Sequence, residues 1–254
     1  MLTFVTSLNK KYWDLCAEKN IRSWLKFFPG NCNIHIYVED DIENKPTDNR
    51  ITYYNLYDEC PELVKFKEKH KDDPHYNGEK VQKELFKFKW NAIKFAHKTF
   101  AVFESAKKLR NGAMVWLDAD VLAIQKMSSE FVKRMCPEEF AISYLGRPNV
   151  YSECGFVYYN LNKKETHDFL KRFEECYTLD GLSQLRETHD SFVFDHIRTT
   201  SPFHHLFLDI NSHSITNKHP FHESLLRACL THNKGHNKER KQAKFIKRYG
   251  LNDI

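Results

Sequence analysis

No CxxC spacing occurs among the seven cysteines of this 254-residue chain, and positions 16, 32, 60, 136, 154, 176 and 229 follow no regular framework. That absence argues against a disulfide scaffold or a structural zinc site and favours reduced thiols, hence a cytoplasmic setting. The amino-terminal residues carry no basic stretch leading into a long apolar one. No later window approaches the roughly 18 apolar residues of a membrane-crossing helix, so the expectation is a soluble, unprocessed protein with no transmembrane segment. No internal repeat or low-complexity linker divides the chain. Strong charge of one sign is missing too: 39 Lys plus Arg against 34 Asp plus Glu leave +5. Over this length that is too mild to indicate nucleic acid, and it suits an anionic ligand equally well. Hydrophobic residues at 41% and aromatics at 14% exclude disorder as the general state. The length is that of one large α/β domain, or one domain with a modest C-terminal extension.

What is present is organised around residues 113–124, AMVWLDADVLAI. The run Ala113 to Leu117 reads as a buried strand, short, continuous and followed at once by charge. If extended backbone continues, its period of two points the Asp118 and Asp120 carboxylates to one side and Ala119 away. Two such carboxylates stay ionised together only with a cation beside them, and a hard divalent ion, Mn2+ or Mg2+, is the natural complement. The competing reading is a solvated turn in which the aspartates cap backbone amides.

Along the chain, strand LTFVT (2–6) followed by a helix over 12–28 opens an α/β unit. Strands are expected at 34–38, 51–54, 141–144 and 155–160. The spacing of Phe88, Ala92, Phe95, Ala96, Phe100 and Phe103 predicts one long helix over 81–108. Its lysines read as mostly solvated, with Lys89 singled out as able to reach an anionic ligand. Further helices are expected at 128–134, 163–177 and 189–196. From residue 203 the composition turns to histidines among polar loops and a basic tail, which divides the chain into a core over 1–202 and a completing segment over 203–254.

In motif order the chain resembles the GT-A-fold glycosyltransferases, and most of all glycosyltransferase family 8, the glycogenin and bacterial galactosyltransferase group. Four pieces carry the likeness: LTFVT at the start, LDADV at 117–121, ECGFVYYN at 153–160, and HNKGHNK at 232–238, the last following H-x-x-G-x-x-K at His232, Gly235 and Lys238. The resemblance implies an α/β fold of GT-A type, a single Rossmann-like nucleotide-diphospho-sugar transferase domain with a mostly parallel mixed central sheet. It implies Asp118, Asp120 and His232 as ligands of Mn2+ or Mg2+, with Gly235 and Lys238 at the diphosphate of a UDP-sugar donor and Ala119 against the nucleotide. Thr6, Ser7, Asn9 and Tyr12 would then face base and ribose, with Glu39 or Asp40, Asn91 and Lys94 as further contacts. Glu153, Cys154, Gly155, His189 and Asp190 would surround the reacting sugar, Asp190 nearest the anomeric carbon and Glu153 orienting a hydroxyl. His189 stands where the family has glutamine, and Glu239 and Arg240 stand where it has proline and tryptophan.

The expected reaction is therefore metal-dependent transfer of a hexose from a UDP-sugar to an acceptor hydroxyl, with retention as the family implies. The acceptor is unspecified. Two other readings compete: a phosphatase of haloacid-dehalogenase type with Asp118 as nucleophile and Asp120 as acid, and a non-catalytic carbohydrate- or polyanion-binding module. The second draws on the five lysines and two arginines of residues 234–248, a basic segment suited to weak contact with an anionic surface or acceptor.

Overall fold

The computed structural model describes residues 1–212, 219–233 and 237–252. The chain opens with β1 (Leu2–Leu8), which runs two residues past the expected strand. A helical stretch follows at once: Lys10–Tyr12, a π-turn at Trp13–Ala17, and α1 (Glu18–Phe27). The loop expected before this helix shrinks to Asn9, whose side chain accepts the Tyr12 N–H at 2.9 Å and caps the helix. Next come β2 (Asn33–Val38) and β3 (Ile51–Asn55).

The long helix read over 81–108 is two helices. A short one, Glu84–Lys89, ends at Trp90, and α2 (Ala92–Leu109) starts afresh with Asn91 as its cap. The periodicity of both pieces is in register, so sequence spacing alone joins them. The break has a structural use: the Lys89 carbonyl, free of the helix, accepts the Thr188 N–H at 2.8 Å, and the Trp90 indole donates to the Arg186 carbonyl at 3.2 Å. Together they pin the loop that leads to His189 and Asp190.

Then follow β4 (Ala113–Leu117), β5 (Val121–Ala123), β6 (Ile142–Tyr144) and β7 (Phe156–Asn160). Helices α3 (Lys164–Thr178) and α4 (Asp190–Thr200) precede β8 (Phe207–Asp209), β9 (Leu230–His232) and α5 (Lys238–Tyr249). Seven strands form one sheet in the order β3-β2-β1-β4-β7-β6-β8. β1 to β4 are mutually parallel, β7 runs antiparallel to both β4 and β6, and β8 is parallel to β6. This is the mostly parallel mixed sheet that was expected. β8 sits at one edge of it, and β9 pairs with β5 in a separate two-stranded ribbon, so residues beyond 202 are built into both sheets.

β4 explains the centre of the molecule. It is flanked on both sides and covered on both faces, which is why its sequence is continuously apolar. Met114 and Trp116 enter the core packed by α2, α3 and α4, while Val115 and Leu117 enter the opposite core against Trp24 of α1 and Phe221. The strand thereby delivers whatever follows Leu117 to the sheet's carboxyl edge. Among the described residues no helix is long and apolar enough to cross a membrane.

One buried group on β2 gives a pH-dependent expectation. His35 is 8% exposed and its Nδ1 has no hydrogen-bond partner. Burial, reinforced by the Lys108 charge, pushes its imidazole down to about 4 from 6.5. Below 6.5 the unfolded chain takes up this proton while the folded chain refuses it until about 4. Stability should therefore fall with pH across that window and level off beneath it, by up to roughly 3 kcal/mol from this group. Urea unfolding of the His35→Gln variant should show a shallower decline between pH 6.5 and 4.5; an unchanged slope would remove His35 as its source.

Candidate active site

Strand β4 ends at Leu117, and the backbone then turns instead of continuing extended: the Val121 N–H returns to the Asp118 carbonyl at 3.0 Å. Asp118 and Asp120 converge because of this tight turn, not because of strand periodicity. α1 holds the turn from beneath with three side chains. Asn20 Nδ2 donates to the Ala119 carbonyl at 2.7 Å, Trp24 Nε1 donates to the Val121 carbonyl at 2.8 Å, and Ser23 Oγ accepts the Ala123 N–H at 2.9 Å. Gln242 of α5 donates to Asn20 Oδ1 at 2.8 Å and so locks the same post from above. Ala119 is 4% exposed and packs in the apolar layer.

The β5–β9 ribbon supplies the third group. Val121 pairs with His232, and the Asn233 N–H donates to the Asp120 carbonyl at 3.0 Å, which sets the imidazole beside the carboxylate 112 residues earlier. His232 Nε2 lies 2.8 Å from Asp120 Oδ1, and Lys238 Nζ bonds the other oxygen, Oδ2. Burial by itself would raise the Asp120 carboxyl; the charges and hydrogen bonds of His232 and Lys238 outweigh it and hold the group well below the usual carboxylate range. Burial would likewise lower His232, but Asp120 and then Glu153 and Asp118 raise it. Donor atoms of Asp118, Asp120 and His232 all lie within 4.8 Å of one another. His232 Nδ1 is buried with no hydrogen-bond partner, and Lys238 already sets a positive charge on Asp120. Two carboxylates and an imidazole around a point that attracts cations fit Mn2+, and Mg2+ less closely.

Asp118 is held from the other side. Trp116 Nε1 donates to Asp118 Oδ1 at 2.7 Å, and Lys98 of α2 reaches the same oxygen at 3.1 Å. Lys98 also pairs with Asp190 Oδ2 at 3.0 Å and donates to the Cys154 carbonyl. Burial opposes its charge, yet the two carboxylates prevail and raise its pKa well above the ordinary lysine value. Sequence reading chose Lys89 instead and missed Lys98. Lys89 pairs with Glu187 at 2.8 Å. The signal lay in the neighbours: Thr99 to Phe103 are all buried, so α2 is covered on more than one stripe where Lys98 enters it.

Gly155 closes the site. A Cβ there would sit 3.1 Å from the His232 ring, 3.2 Å from Asp118 Oδ2 and 3.2 Å from Glu153 Oε1, so a larger residue would crowd all three side chains and push them apart. The Gly155 N–H donates to Glu153 Oε1 at 3.2 Å, and Glu153 Oε2 lies 3.2 Å from His219 Nε2 and 3.6 Å from Arg147. Asp118, Asp120, Glu153, Gly155, Asp190, His232 and Lys238 are thus brought together as expected groupings. Tyr12 joins them, its ring 5.2 Å from the Lys238 ammonium.

Other candidates have structural duties. His189 is 1% exposed; its Nδ1 accepts the Phe192 N–H and caps α4, and its Nε2 meets Glu187 at 3.1 Å. The helix cap is thus His189, and Asp190 is the first residue of α4. The Cys154 thiol is buried and its pKa is raised by that burial. Thr6 is buried with an unpartnered hydroxyl, and Ser7 is half-buried at the end of β1. Asn9 and Asn91 are spent as helix caps, and Asp40 accepts the Lys10 N–H. Glu39 faces His97 and Tyr57, and Lys94 lies over the Phe95 ring. Gly235 lies outside the described residues. A cavity of about 280 Å3 is lined among others by Tyr144, Arg147, Ser152, Asp195, Arg198 and Asn211.

No protein-family model matches this sequence, and no curated protein matches it significantly. Solved structures do resemble it. The galactosyltransferase LgtC in complex with donor and acceptor sugar analogs aligns at 11% identity over 98% of this chain and 95% of its own, with a TM-score of 0.53. An active-site mutant of LgtC aligns at 10% identity over 97% and 95%, with a TM-score of 0.54. The bifunctional glycosyltransferase WbbM in its apo form aligns at 10% identity and a TM-score of 0.56; 98% of this chain covers 49% of that one. The fold is that of the GT-A glycosyltransferases.

Proposed function

We propose that this chain is a divalent-cation-dependent glycosyltransferase that moves a hexose from a UDP-sugar to an acceptor hydroxyl with retention of configuration. The observation that carries the reading is the convergence of Asp118, Asp120 and His232 within 4.8 Å at one end of the β5–β9 ribbon, where Val121 pairs with His232, with Lys238 on the same carboxylate. These three side chains would hold Mn2+ or Mg2+. The bound ion supplies positive charge to the departing nucleoside diphosphate.

The chain's own groups do the rest. Lys238 exchanges Asp120 for the diphosphate oxygens and meets the negative charge that develops there. Asp190, clamped by Lys98, presents its carboxylate to the anomeric carbon as positive charge builds on the sugar. Glu153, oriented by the Gly155 N–H, accepts from a sugar hydroxyl. The acceptor oxygen approaches from the face that the diphosphate leaves, and the departing phosphate oxygen takes its proton. The cavity lined by Arg147 and Ser152 seats the acceptor, because both wall residues adjoin Glu153.

A panel of nucleotide sugars incubated with the protein and Mn2+, with diphosphate release as the readout, tests this directly. We expect slow UDP release from one UDP-hexose, abolished by chelation and restored by Mn2+. Release of phosphate from simple monoesters, with covalent trapping at Asp118 and no UDP-sugar binding, would replace the reading with the phosphatase.

A further inference from the structure

We propose that Glu153, His219 and His232 form a second transition-metal position, selective for Zn2+, which shares His232 with the Asp118 and Asp120 site. The proposal rests on the reading of that first site as a metal centre and adds a mode of regulation to it. One donor atom from each of the three residues lies within 4.8 Å of the other two. Glu153 Oε2 and His219 Nε2 are 3.2 Å apart, and the His219 and His232 rings have centroids 5.0 Å apart. Glu153 and His232 are 5% and 6% exposed, while His219 is more open and gives an approach from solvent.

The donor sets differ in chemistry. Two imidazoles and one carboxylate are a recurrent zinc set that leaves a fourth position for water. Two carboxylates and one imidazole are harder and suit Mn2+ or Mg2+. Second contacts favour the softer position. The Gly155 N–H fixes Glu153 Oε1 at 3.2 Å, and the His232 Nδ1, buried without a hydrogen-bond partner, is a nitrogen left open to a metal. Arg147 at 3.6 Å from Glu153 Oε2 works against a cation, though its guanidinium spends two nitrogens on the Tyr151 carbonyl at 2.5 Å and the Ser152 carbonyl at 3.4 Å. Two divalent ions held a few ångströms apart around one imidazole repel each other, so the two occupancies compete, Zn2+ inhibits transfer and excess Mn2+ relieves the inhibition.

Direct calorimetric titration of the untagged full chain with Zn2+ or Mn2+ alone tests the assignment. His219→Asn keeps an acceptor for the Phe221 N–H that His219 now caps at 3.4 Å. It should weaken the tightest Zn2+ event by at least about tenfold, as should Glu153→Gln, while His219→Asn leaves Mn2+ affinity within about twofold. His232→Ala should weaken both metals. Zn2+ affinity unaltered in both His219→Asn and Glu153→Gln overturns the proposal. A wild type that binds Zn2+ through His219 but no Mn2+, even with UDP present, would sink the glycosyltransferase reading and leave the zinc position standing.

Discussion

Asp120→Asn is expected to lower metal-dependent turnover of the UDP-sugar by roughly two to four orders of magnitude, equivalent to about 3 to 5 kcal/mol of transition-state stabilisation. The substitution keeps shape, leaves one oxygen to accept from Lys238 and offers an NH2 that can donate to a neutral His232, so the protein should stay folded. What disappears is the negative charge that both groups and a divalent ion share. Asp120 is 4% exposed, with no bulk water to compensate. The measurement is steady-state UDP release across a Mn2+ titration, alongside circular dichroism. Turnover at wild-type level under limiting Mn2+ would remove Asp120 from the metal site and with it the proposed chemistry.

Lys98→Met should be the most destabilising single change in the site. The ammonium lies between Asp118 at 3.1 Å and Asp190 at 3.0 Å, with 16% of the side chain exposed. Methionine fills similar volume but leaves two carboxylates facing each other without a counter-charge. Breaking a buried ion pair in this way costs about 3 to 5 kcal/mol, read as a lowered unfolding midpoint in urea. Because the penalty comes from stranded charge, adding Asp190→Asn should recover part of it, a coupling of roughly 1 kcal/mol or more in a double-mutant cycle. Strict additivity would show that Lys98 stabilises through packing alone. The same variant should also lose transfer activity, since Asp190 is no longer aimed.

Much of this architecture could be read from the chain beforehand, and the places where reading failed share a cause. A fully buried central strand writes itself as a continuous apolar run, so β4 and β7 were legible, and so were the carboxylates at the end of β4. The imidazole at 232 was legible only through the spacing of its neighbours. Lys98, the Trp116 indole and the three α1 side chains under the turn were not. Each makes contacts set by how separate helices pack, and the apolar run that follows Lys98 hints at burial without naming the carboxylates it meets. The break at Trp90 and Asn91 escaped for a related reason: apolar spacing continues through it, whereas the cap and the carbonyl given to Thr188 depend on a loop about a hundred residues later. His189 is the opposite case. Its position suggested sugar contact, but both ring nitrogens serve the backbone of α4 and Glu187.

The short ribbon that joins β5 to β9 also fixes when this protein becomes competent during its own synthesis. A ribosome-bound chain has its aspartate pair outside the exit tunnel long before the partner strand exists, and such a nascent species holds two carboxylates facing an incomplete wall. Until the imidazole and the following lysine emerge, the partners of that acidic pair among the described residues are Lys98 and the Trp116 indole N–H, both on Asp118. Under the proposed function, competence would therefore come as a late event in biogenesis, and partial translation products should fold much of the sheet yet remain inert.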